Sequence, residues 1–238
     1  MDFGTQFGVF MLLAVLIVLG RWLKSWGQRM AERRAERDAP DPAVERALEQ
    51  EQLVLDDTPD GPVPFGYKTS WAAVKCGSPD EVINALQLSG RRAGWTTGLA
   101  AAMRGQGVFV SPCLDGYVLV IGQELRQVPP EAFAEVQQFA SHRGSDYYSW
   151  ALYRDGRKLR EFAYESDRVM VDDGPLTSEE QALGFDALPR KYEGPESAER
   201  SDMRLPDEED VLNIAAAWGI DPRFENQTYP PSVGWLCT

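Results

Sequence analysis

No charged residue occurs between Phe3 and Gly20, and this run limits the architecture more than any other feature of the chain. Its heart, Phe7 to Gly20, is apolar on every helical face, and Trp22 and Leu23 extend it. A bilayer core needs roughly 20 apolar residues at about 1.5 Å each, and the stretch just meets that length. A helix apolar all round does not suit the surface of a globular domain. A cleaved signal peptide is the competing reading. It asks for a basic start and a small-residue cleavage site, whereas this chain opens with Asp2 and has no A-x-A after the run. The expectation is an uncleaved transmembrane anchor over residues 1–26, with Trp22 and Trp26 in the interfacial belt.

Orientation follows from the flank. Arg21, Lys24, Arg29, Arg33, Arg34 and Arg37 outweigh Glu32 and Glu36, and Lys and Arg near a membrane stay on its cytoplasmic side. The expected location is therefore a bacterial inner membrane, crossed once, with the domain in the cytoplasm; the basic flank also suits anionic headgroups. Residues 27–64 read as a charged juxtamembrane helix and a Pro/Asp-rich linker. Pro40 and Pro42 break the first helix, Asp41 caps a second through about Leu55, and Asp57 to Pro64 is turn-rich. Residues 65–238 then form one globular domain, of ordinary size for a single core.

The formal charge of −13 comes from 37 Asp and Glu against 24 Lys and Arg. The first fifty residues sum to about zero, so the excess lies in the domain. An acidic domain repels phosphate backbones and disfavours nucleic acid. It suits a basic protein partner through complementary fields, and solubility alone is the plainer account of the same charge. The 3 cysteines, Cys76, Cys113 and Cys237, are odd in number and widely spaced, which fits neither a disulfide framework nor a zinc site.

Helix starts are well marked. Ser78-Pro79-Asp80-Glu81 and Thr177-Ser178-Glu179-Glu180 are capping boxes, the first followed by Val82, Ile83 and Leu86 on one face. Pro206 to Trp218 has an acidic first turn that favours the helix dipole, and Gly219 ends it. Pro130 reads as the start of another helix, with Phe133, Val136, Phe139 and Ala140 on one side. Gly94 to Gly98 reads as a tight loop whose Trp95 plugs the core.

Strands come in hairpins. Val108–Val110 and Tyr117–Ile121 flank Asp115-Gly116; Tyr147–Arg154 and Arg157–Tyr164 flank Asp155-Gly156, a two-residue hairpin signal. That register puts Tyr148, Trp150, Leu152, Leu159 and Ala163 on a core face, with Glu161 awkwardly among them. Tyr147, Tyr153, Phe162 and Tyr164 fall on the other face beside Lys158 and Arg160, either under a helix or as an exposed aromatic–basic surface. Trp71–Val74 and Val169–Val171 are further strands. The class is α+β: a mostly antiparallel sheet built from hairpins with several packed helices, preceded by one N-terminal transmembrane helix.

Chemistry is sparsely signalled. His142 is the single histidine, so a Ser-His-Asp or Cys-His site would have to use it, with Ser145, Asp146 or Cys113 as partners. A hydrogen-bonding cation at a helix end is the plainer role. The carboxylate pairs Asp172/Asp173 and Glu179/Glu180 sit in a turn and a capping box. No phosphate-cradling glycine motif occurs, and neither a metal nor another cofactor is expected. Tyr229 to Trp235 is an extended aromatic tail that either packs along the domain or offers a binding strip.

Gly94-Trp95-Thr96-Thr97-Gly98, Val108 to Pro112 and Gly116 to Gly122, in that order, give the domain a recognisable motif sequence. So do Phe139 to Arg143 before Tyr148-Ser149-Trp150, and Pro206 to Val211 before Trp218. It resembles a set of bacterial α+β proteins associated with immunity in toxin systems, including type VI secretion. The resemblance spans most of the domain and implies a binder that occludes a cognate toxin, without an active site or cofactor; the anchor departs from it. The expected partner is then a basic toxin, met by Asp207, Glu208, Glu209, Asp210, Tyr147, Tyr153 and Tyr164. The alternative is a membrane-anchored adaptor or scaffold of an envelope complex.

Overall fold

A computed structural model describes residues 54–123, 128–188 and 204–238. The anchor and the juxtamembrane helices expected from the sequence lie outside these residues. Among the described residues no helix is long and apolar enough to cross a membrane.

Nine strands form one sheet: β1 (Thr69–Lys75), β2 (Gly90–Gly94), β3 (Val108–Leu114), β4 (Tyr117–Ile121), β5 (Glu135–His142), β6 (Tyr147–Arg154), β7 (Arg157–Glu165), β8 (Arg168–Asp173) and β9 (Val233–Cys237). Their order is β2-β9-β3-β4-β1-β5-β6-β7-β8, and every neighbouring pair is antiparallel. Four helices accompany it: α1 (Pro79–Ala85), α2 (Trp95–Met103), α3 (Ser178–Ala182) and α4 (Glu208–Trp218). The mixed class and the antiparallel sheet match the sequence reading.

The two sheet faces bury separate clusters. One carries Trp71, Leu119, Ile121, Phe139, Trp150 and Phe162, covered by Leu99 of α2 and by Val211, Leu212, Ile214 and Ala215 of α4. The other carries Ala72, Val74, Val110, Val118, Val120 and Val136 beneath Val82 of α1. Phe109 shows how closely the first cluster is packed: a Cβ added at Gly98 would stand 2.4 Å from its ring and one at Gly234 2.6 Å. Gly98→Ala is expected to cost about 1–3 kcal/mol through overpacking, measurable by denaturant titration; an unchanged midpoint would mean that helix α2 can slide.

Local signals explain most helix starts. Glu81 accepts from Gly77 N and Ser78 N at 3.2 and 3.1 Å. Thr177 and Asp207 each close a capping box. Helix α2 is capped from a distance: Asp60 accepts from Trp95 N and from Thr96 N. The turn-rich stretch before Phe65 is thus stitched to the domain, and Asp60 also forms a bridge with Ser232.

Three local readings change, and one that the sequence left open is resolved. The helix expected from Pro130 is only a 3₁₀ turn, Pro130–Ala132, and Glu135–His142 is strand β5. Its side chains are buried on both faces, Val136 in one cluster and Phe139 in the other, so the strand lacks a polar alternation and its apolar spacing imitates a helix. Gly94–Gly98 is the opening of helix α2 rather than a loop, although Trp95 is fully buried as expected. The aromatic tail enters the sheet as β9, between β2 and β3. The β6–β7 register, finally, is displaced by one residue.

That displacement is a β-bulge. Tyr153 faces Lys158, but Leu152 faces Arg160, so Leu159 is the extra residue. A slip of one residue exchanges the two faces of everything beyond it. Arg160, Phe162 and Tyr164 therefore join Trp150 on the core face, while Glu161 and Ala163 point the other way. Leu159, placed in the core by the simple register, is 39% exposed. Gly174 accommodates the bulge: at φ 82° it passes so close that a Cβ would meet Leu159 O at 2.2 Å.

Candidate binding surface

Among the described residues the second face of the sheet is covered by α1 and the Val128 segment over its β3–β4–β1 part and onto Val136 and Gln138 of β5. Toward β8 its side chains become small. Ser70 pairs with Ala140, Ala140 with Ser149, Ser149 with Ala163, and Ala163 with Val171. This row crosses five strands and leaves a trench, because residues of one or two heavy side-chain atoms leave the sheet backbone as its floor. A cavity of about 240 Å³ lies along it, with Ala151 and Glu161 also contributing. His142 and Tyr147, paired across β5 and β6, flank one side. Gln138, Ala151 and Glu161 form the row on the other. Glu161 is held by Lys158 at 2.7 Å, and Lys158 also reaches Asp173 at 2.7 Å. No described helix packs over this stretch.

The expected partner-binding residues are dispersed. Tyr147 borders the trench, half-buried. Tyr153 shares its face but packs against the valine cluster. Tyr164 is in the core, stacked on Tyr148 with centroids 6.5 Å apart. The acidic start of α4 is largely engaged within the domain. Asp207 is exposed and caps the helix, accepting from Asp210 N at 3.1 Å. Glu208 is buried, 3.9 Å from Arg143. Glu209 accepts from Tyr67 Oη at 3.0 Å and lies 3.4 Å from Arg223. Asp210 is buried and paired with Arg204. Burial, followed by the Asp207 charge, pushes its carboxyl up to about 6 despite that guanidinium.

The residues considered for catalysis are not brought together. His142 ends β5 beside Thr69–Ser141 pairing, whereas Cys113 lies by Val118 toward the Lys75 end of β1. Six strand residues separate those ends, about 20 Å. Ser145 Oγ stands 3.3 Å from His142 Nδ1 and equally 3.3 Å from its carbonyl, as a turn hydroxyl does. Asp146 bonds Tyr148, whose hydroxyl is pushed up to about 12 by burial and then by the charges of Asp146, Glu208 and Asp207. Cys76 is pushed up to about 11, chiefly by burial and next by Glu81. Among the described residues no group of His, Cys, Asp and Glu could hold a metal ion.

Two internal polar networks fix the floor from behind. Sequence reading singled out Arg160, Glu180 and Asp172 but not Glu135 or Gln137, and none of the pairings, most of which join residues far apart in the chain. Arg160 and Glu180 are 1% and 0% exposed and 2.9 Å apart, and Arg160 also meets Asp172 at 2.7 Å. Glu180 accepts from Trp150 Nε1 at 2.7 Å and Thr177 N at 2.8 Å. In the second network Glu135 accepts from Tyr117 Oη, Gln137 Nε2 and Arg154 Nε at 2.8, 2.8 and 2.7 Å. Burial raises the Glu135 carboxyl, but these three donors outweigh it and hold the group below its ordinary value of 4.5. A depressed carboxyl stabilises the fold fully above its unfolded value and loses that contribution as pH falls through the folded one. Wild type should therefore lose more stability than Glu135→Gln between about pH 5 and pH 3. Parallel acid titration curves for the two would show that Glu135 has no such role.

No family model matches the chain, and neither a curated protein nor a solved structure does.

Proposed function

We propose that this chain is a membrane-anchored immunity protein that binds a cognate bacterial toxin and neutralises it by occlusion, with the trench across β1, β5, β6 and β7 as its contact surface. The small-residue face, over which no described helix packs, carries this reading. A sheet face built to receive a helix of its own chain would end in large apolar side chains, as the α4-covered face does with Trp71, Phe139 and Trp150. Here Ser70, Ala140 and Ser149 leave room, while Tyr147 stands at the border as an aromatic anchor. The acidic excess of the chain, −13, favours a basic partner. The Phe3–Gly20 run supports a single-pass anchor in the bacterial inner membrane, with the domain on the cytoplasmic side. The toxin then acts in the cytoplasm or at the inner membrane face.

The test uses the full chain with a C-terminal tag, extracted from native membranes in mild detergent. The reading predicts recovery of one basic protein near one-to-one that is toxic when expressed alone and harmless beside this chain. Recovery of several resident membrane proteins, with no toxic one among them, would replace the immunity reading by the envelope scaffold.

A further inference from the structure

Next to the trench, at the end of β1 and β5, lies a larger open cavity of about 470 Å³ whose lining includes Lys68, Gln123, His142, Ser145 and Tyr147. Its composition runs against that of the protein. The chain has 37 acidic and 24 basic residues, yet the lining holds a lysine and the only histidine and no Asp or Glu. Every polar side chain there is able to donate a hydrogen bond. Three of the donors are also uncommitted. Among the described residues Lys68, Gln123 and Tyr147 have no side-chain partner, whereas Arg154, Lys158, Arg160, Arg204 and Arg223 each face a carboxylate.

The backbone holds Lys68 in an uncommon state. Its φ is 51°, in the left-handed region, two residues after Gly66 at φ 112°. A lysine in that conformation is strained, and such strain concentrates at functional positions. The turn just ahead of it is anchored: Phe65 N donates to Pro222 O at 3.0 Å, and Ser141 Oγ donates to Gly66 O at 2.7 Å. The Ser145 hydroxyl lies 3.3 Å from Nδ1 of His142, which leaves the far ring nitrogen, Nε2, to meet a ligand.

We infer that this cavity is a binding site for an oxyanion, a carboxylate or a phosphate carried by a small ligand, with Lys68 as the charged anchor and His142 and Tyr147 as further polar contacts. Charge-assisted hydrogen bonds of this kind are about twice as strong as neutral ones. The site does not rest on the toxin reading, since it requires no protein in the trench, although the two cavities share Ser70, Ala140 and Tyr147.

The single histidine makes the test direct, because its ring gives one assignable NMR signal. The full chain, labelled at histidine and held in detergent micelles, is titrated with inorganic phosphate, with succinate, and with sodium chloride at matched ionic strength. Phosphate or succinate should move the His142 ring signal saturably, and chloride should not. Saturation by phosphate alone identifies a phosphate source, and saturation by succinate alone a carboxylate source. Lys68→Asn removes the charge but keeps a residue tolerant of the left-handed backbone, and should weaken binding at least about tenfold. Lys158→Asn should leave it unchanged. A signal that follows ionic strength alone, or a Lys68→Asn variant that binds like wild type, would overturn the assignment.

Discussion

Glu180→Ala is expected to destabilise the domain by about 3–5 kcal/mol. The substitution leaves Arg160, 1% exposed, without the more deeply buried of its two charge partners. It also strips the acceptor from Trp150 Nε1 and from Thr177 N, so a capping box is lost with the ion pair. Lys158→Ala is the informative control. Its pair with Glu161 is as short, 2.7 Å, but the lysine is 36% exposed, and exposed pairs contribute about 1 kcal/mol or less. Urea titrations of the two variants should therefore differ several-fold in their loss. Similar losses would mean that burial does not set the value of the Arg160–Glu180 pair.

Filling the trench should have the opposite signature. Ser149 sits at its centre, half-buried, between Ala140 and Ala163. Ser149→Phe places a ring where a cavity of about 240 Å³ lies open, so the fold has room for it and stability should change by less than about 1 kcal/mol. A partner seated on that floor would be displaced by the ring. Its affinity should fall by about 100-fold or more, roughly 2.7 kcal/mol, and protection against the toxin should fall with it. Loss of affinity together with loss of fold would point to misfolding, which the same urea titration detects.

Two hairpins and most helix starts were legible because they rest on local chemistry: Asp115-Gly116 and Asp155-Gly156 turns, and the boxes at Ser78 and Thr177. The failures each had a long-range cause. Strand β5 lies between two cores, so Val136 and Phe139 lose the alternation that marks a strand exposed on one face. Strand β2, Gly-Arg-Arg-Ala-Gly, has no strand pattern of its own and exists because β9 pairs with it. The bulge at Leu159 left no sign in the sequence except Glu161, which the simple register put in the core and which instead pairs with Lys158. That conflict was the available clue to the slip. The trench was hidden for the same reason: only the corrected register lines up Ala140, Ser149 and Ala163. The acidic start of α4 was read correctly as a helix opening, but sequence could not reveal that Glu208 and Asp210 turn inward.

The most direct test of the account is a side-by-side capture from native membranes with the tagged wild-type chain and its Ser149→Phe variant. Wild type should retain one basic protein near one-to-one, toxic when expressed alone and silenced beside this chain, and the equally stable variant should retain none and give no protection. A toxic partner held as tightly by the variant would remove the trench as the contact surface. Absence of any toxic partner from wild type itself would contradict the immunity function.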